Sequence, residues 1–370
     1  MNAFLIYTKF IDEITKEPSI GGIQTYISDL ANVFISKHYN VIICQSSKNS
    51  SLFFVKNYTI QNIHTHSNRK NEYISKLKEY LDNNCTDNDF IVFMTHTLNF
   101  KYKHKKTVSI QHGIIWDVEN EKSKIFPIFE YIIKCYRGWY DIKTVNFVKN
   151  TVAVDYNFPN WYRSHLYNNK TNIHVITNYC SVLSQNKPVR NSTIIKIIFA
   201  RRFEKYRGTR LFAEVIDKLI NDKLNIEITF AGSGSDEGWL KNKYSSCRYI
   251  NFIKYKSNDS IRINSQYDIS VNASIGSEGT SLSVLEAMAS KCAIVTTNVG
   301  GLSNIIINGF NGIMCDATVD SIYSGLKRVI IDGNLRDRIS NNAYEVVKYA
   351  FNRNRWENEW VSEIERIENN

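Results

Sequence analysis

The stretch from Val271 to Gly301, VNASIGSEGTSLSVLEAMASKCAIVTTNVGG, constrains the chain more than any other. A short strand over 268–273 stops at a loop of small residues, 274–280. A helix over 281–290 follows, then a buried strand over 293–297 and a turn at Gly300-Gly301. This is a βαβ unit whose loop delivers bare backbone N–H groups to a helix N-terminus. Such a place favours phosphate, because those amides lack partners and the helix dipole attracts negative charge. Two carboxylates add chemistry. Glu278 stands in the loop, and Glu286 lies i+4 from Leu282, on the stripe with Leu285 and Ala289. A carboxylate on a core stripe needs a partner such as a ribose diol. The alternative is that Glu286 sits at the edge of the stripe and reaches water.

The same alternation of strands and helices runs through all 370 residues, which argues an α/β architecture with parallel sheets and a chain long enough for two domains. Strands are expected at 3–7, 41–45, 90–95, 107–110, 151–155, 173–178, 194–200, 226–231 and 249–254. Helices are expected at 23–37, 318–331, 334–348 and 353–367. A polar, aperiodic stretch with Pro188 reads as the linker, 184–193. The expected division is 1–183, then 194–350, with 351–370 as a final helix. Trp356 and Trp360, one helical turn apart, supply that helix with an anchoring face.

No apolar run nears the ~18 residues of a membrane helix. The N-terminus lacks a basic leader and reads as a first strand. Seven scattered cysteines without a CxxC pair fit a reducing cytoplasm and no structural zinc. The net charge is +10: residues 1–185 hold 21 Lys and Arg against 15 Asp and Glu, and the remainder 25 against 21. A basic excess spread this evenly suits nucleic acid, an anionic membrane face or a phosphorylated substrate, and no nucleic-acid motif accompanies it. The run Lys101, Lys103, Lys105 and Lys106 is either a solvated loop or a contact for acidic headgroups.

Candidate ligand contacts cluster where open α/β sheets bind, at the carboxyl ends of strands. Gly21 and Gly22 follow the first strand and permit close backbone approach. His112 follows the strand at 107–110, and His96 is a lower-ranked second histidine. Arg201, Lys205 and Arg207 follow the strand at 194–200, and Gly232 follows the one at 226–231.

The segment SEGTSLSVLEAMASKCAIVTTNVGGLSNIIINGFNGIMCD closely resembles the signature of retaining nucleotide-sugar glycosyltransferases of family 4, the glycosyl transferases group 1 type. Glu278, Glu286, Ala287-Met288-Ala289, Gly300-Gly301 and Asn311-Gly312 all match. The resemblance implies the GT-B fold, two Rossmann-like domains facing across a cleft, with acceptor binding in the first domain and donor binding in the second. It assigns Glu286 to the donor ribose and Glu278 to hydroxyls of the donor sugar. The Gly279, Thr280, Ser281 and Leu282 amides would hold the diphosphate. Arg201 and Arg207 would grip the same group, Arg207 standing where the family has Lys, with Lys205 as the substitute if the loop register differs. Gly21-Gly22 and Gly232 resemble the family's glycine loops, and His112 its His-Gly beside the reacting carbon. The family's Asn-Gly-Val-Asp ending appears as Asn178-Tyr179-Cys180-Ser181, which removes a Gly and an Asp from that turn.

The implied activity is metal-independent, cofactor-free transfer of a hexosyl group, with retention, from a UDP-sugar or GDP-mannose. The acceptor would be a glycan, lipid-linked, in surface polysaccharide assembly of the O-antigen, capsule or lipopolysaccharide type. The protein would be cytoplasmic and peripheral on the inner membrane face. An epimerase or phosphorylase on the same fold, or a non-catalytic nucleotide-sugar-binding protein, is the alternative.

Overall fold

The computed structural model describes residues 1–370 apart from 13–14, 20, 68, 115, 118–126, 166–170, 183–192, 277 and 370. The linker expected at 184–193 therefore lies, but for Thr193, outside the described residues. Two units separate by their internal contacts: unit 1 is Met1–His112, Ile132–Ile176 and Trp356–Asn370, and unit 2 is Gly113–Tyr131 and Thr177–Arg355.

Unit 1 opens with β1 (Asn2–Ile6), α1 (Gly22–Ser36), β2 (Asn40–Ser47), β3 (Ser51–Val55), β4 (Tyr58–His64), α2 (Lys70–Asn84), β5 (Phe90–Phe93) and β6 (Thr107–Gln111). Next come α3 (Pro127–Val145, of which 127–131 fall in unit 2), β7 (Asn150–Ala153), α4 (Asn157–His165) and β8 (Asn172–Val175). The eight strands are ordered β3-β4-β2-β1-β5-β6-β7-β8, and only the β3–β4 hairpin is antiparallel. Residues 3–6 of β1 are fully buried, as a central parallel strand covered on both faces requires. On α1 the buried set Tyr26, Ile27, Leu30, Ala31, Val33 and Phe34 follows helical spacing. The hairpin, α2 and α3 occupy segments to which the sequence reading assigned no element.

Unit 2 contains β9 (Ile195–Ala200), α5 (Thr209–Asn221), β10 (Ile226–Ala231), α6 (Glu237–Lys243), β11 (Ile250–Ile253), α7 (Ser260–Asn264) and β12 (Ile269–Asn272). It continues with α8 (Leu282–Ala289), β13 (Ala293–Thr297), β14 (Ile313–Cys315), α9 (Val319–Ile331) and α10 (Gly333–Ala350). Its six strands are all parallel, in the order β11-β10-β9-β12-β13-β14. Alternate residues of β9 enter opposite cores: Ile197 and Phe199 join one cluster, Ile198 and Ala200 the other. The order reverses direction between β9 and β12, so the crevice where such sheets bind ligands opens beside the ends of those two strands.

The last helix, α11 (Arg353–Glu368), buries Trp356 and Trp360 completely within unit 1. Trp360 Nε1 donates to the Tyr26 hydroxyl at 2.9 Å, and both indoles meet the Tyr26 ring edge-on. Trp360→Phe is expected to lower stability by about 1–2 kcal/mol, through the lost hydrogen bond and a residual cavity. Urea unfolding monitored by circular dichroism checks this; an unchanged midpoint would show the contact to be dispensable.

Candidate functional site

In unit 2, Arg201 is the first residue beyond β9, and Ser274 and Glu278 follow β12, so the reversal of strand order brings them together. Arg201 Nη1 donates to Asn272 Oδ1 and Nη2 to Glu278 Oε1. The Ser274 hydroxyl donates to the same carboxylate oxygen, and Arg207 Nη1 lies 2.6 Å from it. Arg201 and Glu278 side chains are 5% exposed, and Arg207 is 18% exposed. Burial pushes the Glu278 carboxyl up, but the two guanidiniums and the Ser274 hydroxyl outweigh this and hold it below the ordinary value. Two guanidiniums against one carboxylate leave a net positive charge at low dielectric, which is what an anionic ligand needs. Arg201 Nε is buried without a hydrogen-bond partner among the described residues.

Of the two cations left open by the sequence, Arg207 is the one that reaches Glu278; Lys205 lies half-buried on the same 3₁₀ turn, Lys205–Arg207. That turn ends at Gly208, whose φ of 76° and position against Ala273 leave no room for a side chain, since a Cβ would come within 1.6 Å of the Ala273 carbonyl oxygen. Gly300 (φ 53°) confines the loop from the other side: a Cβ there would sit 2.3 Å from the Glu278 carbonyl oxygen, which accepts from Gly301 N at 2.8 Å. The Glu278 loop is thus fixed by its neighbours' backbones.

Beyond it, Gly279 and Thr280 lead to Ser281, which precedes α8, and Leu282 opens that helix. The first amides of α8 precede any intrahelical acceptor. Asn178 Nδ2 donates to the Thr280 carbonyl at 2.8 Å, so the turn that lacks the family's Gly and Asp still holds the loop through its Asn. Gly232 lies against the Arg201 carbonyl, and its N–H donates to Ile253 O at 2.9 Å.

Glu286, in the second turn of α8, is partly covered. Burial pushes its carboxyl up to about 7, and the Ser260 hydroxyl opposes the shift. It also raises the Cys180 thiol and the Tyr255 hydroxyl beyond what burial does, which places both near it. Among the described residues no guanidinium contributes to its titration, in contrast to Glu278.

In unit 1, His112 follows β6. Its Nε2 donates to Met94 O at 2.8 Å, and its ring meets Tyr26 edge-on at 5.4 Å. Burial lowers its value to about 4, so the imidazole is neutral near pH 7 and presents Nδ1 as an acceptor. α11 thereby supports His112 through Tyr26. His96 Nε2 lies 3.1 Å from Asp141 Oδ1, both side chains 4% exposed, an interior pair. Gly21 and Gly22 start α1; Gly21 is extended (φ 173°), and Thr25 Oγ1 donates to its carbonyl at 3.3 Å. Asn272, Ser274, Ser260 and Tyr255 are not among the candidates that the sequence offers, and Asn178 enters there only as part of a turn that departs from the family's. A polar Asn inside the apolar strand SVN was the available signal for Asn272.

Fold and site define the class first: two Rossmann-like α/β units of the GT-B fold, the second with an anion-receptive crevice. The comparisons refine it. Residues 183–346 match the family model described as Glycosyl transferases group 1. An uncharacterized glycosyltransferase of Methanocaldococcus jannaschii is 26% identical over 309 residues, 76% of either chain. Among solved structures, a mutant of S. aureus TarM in complex with Fondaparinux, alpha-GlcNAc-glycerol and UDP superposes with a TM-score of 0.74 at 12% identity over 100% of each chain. WaaG, a glycosyltransferase involved in lipopolysaccharide biosynthesis, gives 0.71 at 12% identity over 98% of this chain and 99% of its own. Glycosyltransferase is the activity that these matches support.

Proposed function

We propose that the chain is a retaining, metal-independent glycosyltransferase that moves a sugar from a nucleoside diphosphate donor, a UDP-sugar or GDP-mannose, to a hydroxyl of a glycan acceptor. The observation that carries this reading is the convergence of Arg201 and Arg207 on Glu278 at the strand-order reversal of unit 2. As the sugar–phosphate bond breaks, charge grows on the departing diphosphate, and the two guanidiniums with the α8 amides stabilise it without reorganising. Glu286 accepts from the ribose diol, and Glu278 turns its remaining acceptor capacity to the sugar hydroxyls. His112, neutral, acts in this reading as an acceptor and donates no proton. A lipid-linked acceptor in surface polysaccharide assembly is the finer part of the proposal, in keeping with WaaG's role in lipopolysaccharide biosynthesis.

Thermal-shift measurements with UDP, GDP, ADP and dTDP test the donor. One of them is expected to stabilise the protein by about 2.7 kcal/mol at ~100 times its Kd. If none raises the melting temperature, the donor reading fails. With the nucleotide known, turnover of the labelled nucleotide-sugar that proceeds equally well without acceptor would favour an epimerase.

A further inference from the structure

Helix α3 differs from an ordinary surface helix on its outer face. Its outward stripe is apolar: Ile132, Tyr136 and Trp139 are 54%, 61% and 53% exposed, and the first turns add Ile128, Phe129 and Tyr131. The positions 128, 132, 136 and 139 fall on one face at helical spacing. Its buried side is narrow and mixed, with Gly138, Asp141, Thr144 and Val145. Asp141 meets His96, and the Thr144 carbonyl accepts from Asn99 Nδ2 at 3.0 Å. Elsewhere among the described residues, exposed large apolar side chains come singly or in pairs, such as Leu52 and Phe54 on β3.

We propose that α3 is a membrane-docking helix that lies in the interface of an anionic bilayer, with Ile132, Tyr136 and Trp139 entering the acyl boundary. Charge complementarity selects this occupant over a protein face. Three bases, Lys134, Arg137 and Lys143, stand against two acids on the helix; Asp141 is buried, Lys143 is exposed, and Lys134, Arg137 and Glu130 are half-buried. Lys143 Nζ stands 5.0 Å from the Trp139 ring centroid, and Lys70 Nζ is 3.0 Å from the Tyr140 hydroxyl. Aromatic rings beside cations on a helix with an apolar face are the chemistry of headgroup-level anchoring. The run at 101–106 lacks that combination. Lys101, Lys103 and Lys105 are exposed, but Lys101 also leans on Phe147 and Lys106 donates to Asn88 O, and no large apolar residue is exposed there.

Co-sedimentation of the full chain with vesicles of phosphatidylcholine alone, and with about one third phosphatidylglycerol, tests it. Binding is expected on the anionic vesicles and weak on the neutral ones. The triple variant Ile132→Ser, Tyr136→Ser, Trp139→Ser is expected to reduce partition by roughly tenfold or more, the loss of three apolar anchors. Should that variant misfold, Trp139→Phe decides: brominated acyl chains should quench wild-type tryptophan fluorescence and largely fail to quench the variant, which still binds. No wild-type binding, an unaffected triple variant, or equal quenching in Trp139→Phe overturns the proposal. So does lipid-free self-association that the triple variant abolishes without any vesicle binding, which would give the face to a second copy.

Discussion

Arg201→Ala is expected to lower turnover by about two to three orders of magnitude while raising KM for the donor far less. The interaction it removes strengthens as negative charge accumulates on the departing diphosphate, so its loss falls on the transition state more than on the bound substrate. The substitution also breaks a buried ion pair, which in general costs about 3–5 kcal/mol because a charge is left uncompensated. Here Arg207 and the Ser274 hydroxyl still hold the Glu278 carboxylate, so the loss should stay at or below about 3 kcal/mol. Urea unfolding reads the stability, and kcat at saturating donor, well below the variant's melting temperature, reads the chemistry. Arg201→Lys keeps the charge but not the fork that reaches Asn272 and Glu278 at once, and should recover only part of the rate. A folded Arg201→Ala protein with turnover within tenfold of wild type would reduce this arginine to a structural clamp.

The strands of unit 2 other than β14 were legible because they are continuous apolar runs that end at small residues, and β9, β12 and β13 start and stop within two residues of where hydrophobicity does; β14, three residues long, was too short to stand out. Arg201, Glu278 and Glu286 were legible as residue types at motif spacing. Their mutual pairing was not. Only the return of the chain from β9 to the neighbouring β12, across some seventy residues, makes Arg201 a partner of Glu278. The same holds for Asn178, which reaches Thr280 from a turn where three of four family residues differ. Helix α3 escaped for another reason. Periodicity shows that a helix has an apolar side but not that this side faces inward, and here the inner side is reserved by His96 and Asn99 for Asp141 and the Thr144 carbonyl. The β3–β4 hairpin has a weak signal: β3 is an edge strand with Leu52 and Phe54 outward, against the rule that exposed positions are polar.

Glu286→Gln should separate what this carboxyl costs the free protein from what it does for a bound nucleotide. Its folded value, raised to about 7 by burial, exceeds the unfolded value of about 4.3, so the folded chain holds the proton more tightly. That preference stabilises the fold fully below the unfolded value and is lost as pH rises through about 7. Above pH 7 the wild type therefore carries a charged, partly covered carboxylate with a hydroxyl beside it and, among the described residues, no guanidinium. Glutamine removes the charge. The variant is expected to be more stable than wild type by about 1–3 kcal/mol at pH 8 and nearly equal to it at about pH 4. Binding should move the other way. A ribose diol donates to the carboxylate, so wild-type affinity should rise with pH through about 7. The glutamine variant should show no such rise and bind about ten- to a hundredfold more weakly at pH 8, the worth of a charged hydrogen bond. A nucleotide-sugar is the right titrant, since its diester-like diphosphate has no proton to lose in that range. Calorimetry across pH 5.5–8.5 reads the affinity, and urea unfolding reads the stability. Equal affinities at pH 8 would remove Glu286 from the nucleotide site; a variant less stable than wild type at that pH would mean that the carboxylate is held by partners strong enough to make its charge an asset.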